Sequence, residues 1–326
     1  MSKKKILITG AAGFLGSHLT EKLVQLGYKV VAFDRYNSNN DFFWLNKLRD
    51  QNKKNCHFIL GDIRDFDSVF NAMKGCDTVL HLAALIGIPY SYYSPIAYVK
   101  TNIEGTYNVL ESSRKLKLKN IVITSTSEVY GTAKYLPIDE NHEINSQSPY
   151  AASKTAADHL AISYYRSFKL PIKIIRPFNI YGPRQSERAI IPTIINQALN
   201  SKKSIFLGNT TPSRDFNYVF DVIDAFIKIM NSKKAIGQII NVSNNKKISI
   251  LFLCKEILKI INSKKTIKVK KYRKRPISSE VENLQGSNKK IKKLLLWKPK
   301  TKLKKGLKLT IEWFKHNKTK NTKYVI

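Results

Sequence analysis

Lys5-Ile6-Leu7-Ile8-Thr9-Gly10-Ala11-Ala12-Gly13-Phe14-Leu15-Gly16 decides how the chain is read. Ile6, Leu7 and Ile8 make a short continuous apolar run, the pattern of a strand buried on both faces. Glycines follow at positions 10, 13 and 16, and Leu15–Leu26 then carries a helical apolar pattern that Gly27 stops. Glycine lets the backbone turn tightly and brings N–H groups to one point, and a helix N-terminus behind the turn favours negative charge. The order strand, Gly10, Gly13, Phe14, Leu15, Gly16 therefore predicts a cradle for a pyrophosphate.

The same alternation continues outward. Lys29–Phe33, Phe58–Leu60, Thr78–Leu82 and Ile121–Thr124 read as further buried strands, with helical patterns between them. One of those helices carries Val69, Phe70 and Met73 before Gly75. The expected fold class is α/β, a Rossmann-like doubly wound parallel sheet with helices on both faces. Past about Pro177 the strands shorten and turns such as Tyr181-Gly182-Pro183 appear. Residues 1–176 are expected to form a dinucleotide-binding domain. Residues 177–326 are expected to form mainly a smaller C-terminal substrate-binding lobe, partly interleaved with the first.

Asp34 stands at the end of the second strand, 18 residues past Gly16. A carboxylate there accepts ribose hydroxyls and repels a 2′-phosphate, which favours NAD over NADP. Arg35 beside it acts the other way, since arginine holds phosphate. Asp62-Ile63, after the third strand, is placed to meet the adenine amino group and face; the other reading of Asp62 is a loop-start cap.

Composition limits the alternatives. The 326 residues carry 57 Lys+Arg against 23 Asp+Glu, a net charge of +34. Such charge suits a nucleic-acid or acidic-lipid partner, but the lysines are spread and lack interleaved aromatic stacking motifs. The expectation is a lysine-rich solvated surface, with neither a nucleic-acid nor a membrane partner. No apolar stretch approaches the ~18 residues of a membrane span. Lys3, Lys4 and Lys5 run straight into the first strand, leaving no room for a signal peptide. Cys56, Cys76 and Cys254 are far apart, which suits a reducing, cytoplasmic compartment. The six histidines show no metal-ligand spacing, so no metal is expected.

Tyr150 and Lys154 lie in Pro149-Tyr150-Ala151-Ala152-Ser153-Lys154. Pro149 suits the first turn of a helix, and positions i and i+4 then share one face. A phenol of pKa ~10 is too weakly acidic to serve as a base at neutral pH unless a neighbouring ammonium favours its phenolate. Lys154 also has the reach to hold a nicotinamide ribose. The fifth strand runs into Thr124-Ser125-Thr126-Ser127-Glu128-Val129-Tyr130-Gly131. Ligands of open α/β sheets sit beyond the carboxyl ends of strands, so Thr126 is placed to bond a reacting hydroxyl. Glu128 reads as a second acid/base, or alternatively as a loop or capping carboxylate.

The Gly10–Gly16 loop, His81-Leu82-Ala83-Ala84, Asn102 with Gly105-Thr106, and Tyr150/Lys154 resemble the extended short-chain dehydrogenase/reductases. The likeness continues through Arg176-Pro177-Phe178-Asn179-Ile180-Tyr181-Gly182-Pro183-Arg184 and Arg214-Asp215-Phe216-Asn217-Tyr218-Val219, covering nearly the whole chain. Three segments narrow it: Ala83–Tyr92, Ser125–Ala133 and Arg275–Val281. They look like the configuration-retaining 4,6-dehydratases of nucleotide-linked N-acetylglucosamine that feed legionaminic-acid-type and other surface-glycan pathways. One departure stands out. Glucose-nucleotide dehydratases carry Thr-Asp-Glu where this chain has Thr126-Ser127-Glu128, a triplet also similar to that of UDP-glucuronate decarboxylases.

The resemblance implies that Leu82, Ala83 and Ala84 line the cofactor. It implies that Tyr150 takes the C4 hydroxyl proton while a hydride passes to NAD, with Thr126 steadying the oxygen. Glu128 then removes the C5 proton, water leaves C6 and the hydride returns there, giving a 4-keto-6-deoxy sugar. With the usual Asp absent, Glu128 acts as both base and acid, aided by Ser127 or a water. Asn179, Arg188, Arg214 and Arg275 are the candidates for the substrate diphosphate and nucleoside, since the guanidinium fork suits phosphate oxygens. The family habit is a homodimer through helices at Tyr98–Leu118 and Tyr150–Phe168. Three other functions stay open: a C4 epimerase without elimination, a decarboxylase of a uronic-acid nucleotide, and a non-enzymatic NAD-sensing or nucleic-acid-binding protein.

Overall fold

A computed structural model of the chain describes residues 4–51, 54–200, 203–270 and 276–317. Two compact units emerge. The first comprises residues 1–129, 148–176 and 223–240, the second 130–147, 177–222 and 241–326. The expected division after residue 176 is one crossing point; residues 130–147 and 223–240 also change sides.

The central sheet has seven strands. β1 (Lys5–Thr9), β2 (Lys29–Arg35), β3 (Cys56–Gly61), β4 (Thr78–His81), β5 (Asn120–Thr124) and β6 (Ile172–Pro177) are joined at the edge by Ile239–Val242. Their spatial order is Ile239–Val242, β6, β5, β4, β1, β2, β3. The pairs β1–β2, β1–β4, β2–β3, β4–β5 and β5–β6 are all parallel. This is the Rossmann-like fold. Ile6, Leu7 and Ile8 are fully buried, as a strand covered on both faces requires. Chain order reverses between β1 and β4, so the loops after these two strands flank the switch point where ligands enter such sheets. Val69, Met73, Val109, Leu110, Ile121 and Ile174 belong to one buried cluster of this unit.

The second unit is built from helices and short strand pairs. Ile180–Tyr181 pairs with Asn217–Tyr218, Ser204–Leu207 with Thr266–Val269, and Ser213–Arg214 with Ile248–Ser249. Ile194, Leu253, Ile257 and Phe314, from the helices Ile190–Leu199, Ile250–Ile261 and Leu303–His316, form its core with Phe216 and Tyr218.

One element differs from its expected form. Tyr98–Leu118 is interrupted: a short helix Pro95–Tyr98 passes through a π-helical turn, Val99–Glu104, into the helix Gly105–Lys115. Asn102 lies in that turn, fully buried, with its side chain bonded to Leu85 N at 2.8 Å and Leu85 O at 2.9 Å. A wider turn of this kind often marks a functional site. Among the described residues no helix is long and apolar enough to cross a membrane.

Candidate active site

The glycine loop joins β1 to the helix α1 (Phe14–Gln25). Gly10 has φ +68°, and a Cβ there would stand 2.9 Å from Ala83 Cα, so the position needs glycine twice over. A Cβ on Gly16 would overlap the Gly10 carbonyl oxygen. The N-cap of α1 is Gly13, which has no side chain to cap with, and the first turn holds no acidic residue. The opening N–H groups at Phe14, Leu15 and Gly16 are thus presented to whatever anion approaches. These features fit a dinucleotide pyrophosphate.

Asp34 closes the loop from the side. Its Oδ2 accepts from Ala12 N at 2.6 Å and its Oδ1 from Arg35 N at 2.7 Å. Burial pushes this carboxyl above its ordinary value, against the two backbone hydrogen bonds and the Arg35 charge. A carboxylate has about four acceptor positions, so capacity for ribose hydroxyls remains. Of the two readings of Asp62, the structure shows the capping contact. Its Oδ1 caps the turn through Arg64 N at 2.9 Å, and the Arg64 guanidinium lies on both its oxygens. That ion pair holds Asp62 below the usual carboxylate range. Asp62 lines an open cavity of about 320 Å³ with Arg64, Asp65, Lys100 and Glu104. Ile63 is buried against Gly105, where an added Cβ would sit 3.0 Å from it.

A buried hydrogen-bond chain ties the loop after β4 to the sheet. Thr106 Oγ1 donates to Asn102 O at 2.6 Å, so its lone pair faces His81 Nε2 at 3.1 Å and must accept. His81 is therefore the Nε2–H tautomer, and its Nδ1 accepts from Thr9 Oγ1 at 2.8 Å. Thr9 Oγ1 in turn accepts from Leu82 N at 3.1 Å and Ala83 N at 3.2 Å. Burial, with help from Lys154, pushes the imidazole down to about 3, so it stays neutral. The Leu82–Ala84 segment is thereby held beside Gly10.

Tyr150 and Lys154 lie on the helix Pro149–Phe168. Ser148 caps it, accepting from Ala151 N at 3.1 Å, and Pro149 occupies the first turn. Asn102 Nδ2 donates to Ser153 Oγ at 2.9 Å, and Ser153 Oγ donates to Tyr150 O at 2.7 Å, so the π-helical turn Val99–Glu104 braces this helix. Tyr150 is 7 % exposed and packs edge-on to Tyr98, ring centres 6.3 Å apart.

Thr126, Glu128 and Tyr150 come together. Thr126 Oγ1 accepts from Glu128 N at 3.2 Å and is hydrogen-bonded to the Tyr150 phenol. Burial pushes that phenol up most strongly; the Thr126 bond opposes it, and the Glu128 charge adds to it. The net direction is thus opposite to the one the Tyr-x-x-x-Lys spacing suggests. Lys154 Nζ instead donates to Thr124 O at 2.6 Å. Burial lowers this ammonium to about 8, with Asp158 resisting, which leaves it charged at neutral pH. Ser127 is buried in the same turn.

The substrate candidates fall in the second unit. Asn179 has a buried Oδ1 that accepts no hydrogen bond among the described residues. Arg214 is buried and already paired: its Nη2 lies 3.3 Å from Glu280 Oε1 and its Nη1 donates to Ser213 O at 3.1 Å. Arg188 is exposed. Arg275 lies outside the described residues. Sequence reasoning passed over Asp158, Ser125 and Thr9, although the spacing of four from Lys154 to Asp158 was available to it. Among the described residues no cluster of three or more His, Cys, Asp or Glu could hold a metal.

Comparison with known proteins follows this geometry. A family model described as GDP-mannose 4,6 dehydratase matches residues 7–310. The chain is 31% identical to the dTDP-D-glucose 4,6-dehydratase of Homo sapiens over 328 residues, 96% of this chain and 91% of that protein. It is 32% identical to the UDP-N-acetyl-alpha-D-glucosaminuronate decarboxylase of Bacillus cytotoxicus over 323 residues, 96% of this chain and 98% of that one. The crystal structure of UDP-glucuronic acid 4-epimerase from Bacillus cereus, in complex with UDP-glucuronic acid and NAD, superposes with a TM-score of 0.86 at 31% identity. It covers 96% of this chain and 99% of that one.

Proposed function

The chain belongs to the GDP-mannose 4,6-dehydratase family of NAD-dependent epimerases and dehydratases, and from that premise we propose that it is a nucleotide-sugar 4,6-dehydratase acting on a UDP- or GDP-linked N-acetylglucosamine. The observation that carries the reading is that the Glu128 charge acts on the Tyr150 phenol, with Thr126 bonded both to that phenol and to the Glu128 backbone N–H. An epimerase needs one acid/base at C4. Here a second, buried carboxyl group stands beside it, as elimination of water across C5 and C6 requires. Surface-glycan synthesis in the cytoplasm is the setting that accords with such a product and with three free cysteines.

NAD, when bound at the Gly10–Gly16 loop, would take up a hydride from C4 and give it back at C6. The loop's N–H groups would hold its pyrophosphate and Asp34 its ribose. Tyr150 accepts the C4 hydroxyl proton. Its phenol is pushed up by burial, so the transfer depends on positive charge nearby, and Lys154 is the buried ammonium one turn along the helix. Thr126 keeps the phenol oriented. Glu128 removes the C5 proton and passes it to the C6 hydroxyl, which leaves as water; hydride addition at C6 is then matched by a proton returned to C5, supplied in the net balance by the one Tyr150 took from the C4 hydroxyl. Within the second unit, Arg214 has the guanidinium fork that suits phosphate oxygens and Asn179 a buried amide.

Incubation of the purified protein with UDP-N-acetylglucosamine, GDP-mannose, UDP-glucose and UDP-glucuronic acid, read by product mass, tests the proposal. Loss of one water from the N-acetylglucosamine nucleotide is expected. An unchanged mass with inverted C4 means an epimerase, and loss of carbon dioxide from the uronic acid means a decarboxylase; either overturns the reading.

A further inference from the structure

Asp158 follows Lys154 by four residues on the helix Pro149–Phe168, so both side chains leave the same face one turn apart. They are 1 % and 3 % exposed. The carboxylate is held unevenly. Its Oδ2 accepts from Ser125 Oγ at 2.7 Å, from Arg176 Nε at 3.0 Å and from Arg176 Nη2 at 2.9 Å. Its Oδ1 is buried and accepts no hydrogen bond among the described residues. Ser125 follows β5 and Arg176 lies on β6, with Ser125 N donating to Ile175 O at 2.8 Å, so the carboxylate is clamped between helix and sheet.

A purely structural Arg–Asp pair would spread the guanidinium fork over both oxygens. Here Nε and Nη2 of the guanidinium sit on one oxygen, and the other is left buried and unmatched among the described residues, a costly arrangement unless a neighbouring charge benefits. The neighbouring charge is Lys154. Its ammonium has three donors, and Thr124 O takes one. We propose that Asp158 is a positioning residue: anchored by Ser125 and Arg176, it keeps the Lys154 ammonium charged inside the buried site, and Arg176 limits how strongly it does so.

The other groups that bear on Lys154 do not replace it. Tyr150 on the same helix has its phenol pushed up by burial, and His81 on β4 is neutral. Glu128 follows β5, and its nearest described engagement is with Thr126 and Tyr150. Arg176 on β6 is a second cation. Burial lowers the ammonium, and Asp158 is the charge that opposes this. Asp158 therefore acts through Lys154 and touches no reacting atom. The inference rests on the reading of Tyr150 and Lys154 as an acid–base pair only where turnover is measured.

The test is the titration of Lys154 in full-length protein carrying ¹⁵N-lysine, followed by NMR, with Lys154→Met identifying the resonance. Asp158→Asn should lower the midpoint by about one pH unit or more, and Arg176→Gln should raise it by a similar amount. Asp158→Glu should restore it toward the parent value. If Asp158→Asn does not fold, Arg176→Gln alone decides. A midpoint unmoved in Arg176→Gln, or shifts in the same direction in both variants, overturns the proposal, because a merely structural pair predicts loss of stability without opposite titration shifts. The alkaline limb of kcat/KM should follow the same order. Opposite titration shifts without dehydration of any nucleotide sugar would sustain the positioning role and defeat the dehydratase reading instead.

Discussion

Lys154 Nζ donates to the carbonyl oxygen of Thr124 at 2.6 Å, so the helix Pro149–Phe168 is pinned through its ammonium to the last residue of β5. Two residues beyond that carbonyl comes Thr126, hydrogen-bonded to Tyr150. Strand end and helix face are therefore registered to each other by groups that also belong to the proposed chemistry. Changes at this junction should separate into effects on proton transfer, on elimination and on cofactor binding.

Tyr150→Phe removes the base at C4 and leaves the glycine loop and Asp34 in place. NAD affinity, read by calorimetry, should stay near the parent value. Turnover should fall by about 10²–10⁴-fold, the usual loss for a positioned general base. Activity within a few-fold of the parent would dismiss Tyr150 from this role.

Glu128→Gln keeps Thr126, Tyr150 and Lys154. Oxidation at C4 should proceed and elimination should stall, so reduced cofactor accumulates in a single turnover, read as nicotinamide absorbance with little dehydrated product. A capping carboxylate predicts another outcome: lower stability, with the folded enzyme dehydrating at nearly the parent rate.

Asp34→Ala removes the acceptor of Ala12 N and the group proposed for the ribose. NAD binding should weaken, and the preference for NAD over NADP should shrink. Equal affinity of the parent for both cofactors in calorimetry would contradict the role given to Asp34.

His81 gives the fold a dependence on acid. Its folded value is depressed to about 3 from an ordinary 6.5. Below the ordinary value the unfolded chain binds a proton that the folded chain refuses. Its contribution is therefore complete above pH 6.5 and is lost as pH falls toward 3, by roughly 1.4 kcal/mol per pH unit. Denaturant unfolding at pH 7 and pH 5 should show a drop of about 2 kcal/mol from this residue in the parent. That part of the drop should be absent in His81→Gln, whose amide keeps a donor for Thr106. An equal drop in both proteins would rule the mechanism out.

We expect a homodimer through the first unit. Tyr93, Ile96, Tyr107 and Phe168 are 69 %, 60 %, 44 % and 49 % exposed there. Ile96→Asp combined with Tyr107→Asp should yield a monomer in ultracentrifugation. A parent that stays monomeric at all concentrations would end this expectation.

Much of the fold was legible because buried parallel strands leave an uninterrupted apolar signature. Lys5–Thr9 was read with its observed bounds, and the helix after it within one residue at each end. The glycine loop was legible because close backbone approach admits no Cβ at Gly10 or Gly16. The π-helical turn at Val99–Glu104 was not, since a change of helical pitch leaves no periodic mark over six residues. Partial interleaving of the two units was expected, but not which segments change sides, 130–147 and 223–240, since no break in composition announces them.

The sequence by itself determined the strand–loop–helix cradle, the spacing that sets Tyr150 one turn from Lys154, and the acidic residue closing β2. These depend on neighbours along the chain, whose periodicities and glycines are written locally. Only the tertiary structure decided what each of those groups meets. It turned the Tyr150 phenol upward by burying it, spent a Lys154 donor on Thr124, placed Arg64 on Asp62 and Glu280 on Arg214, and left one oxygen of Asp158 bare. Ionisation and partnership depend on solvent exclusion and on contacts across distant segments, and no spacing along the chain encodes them.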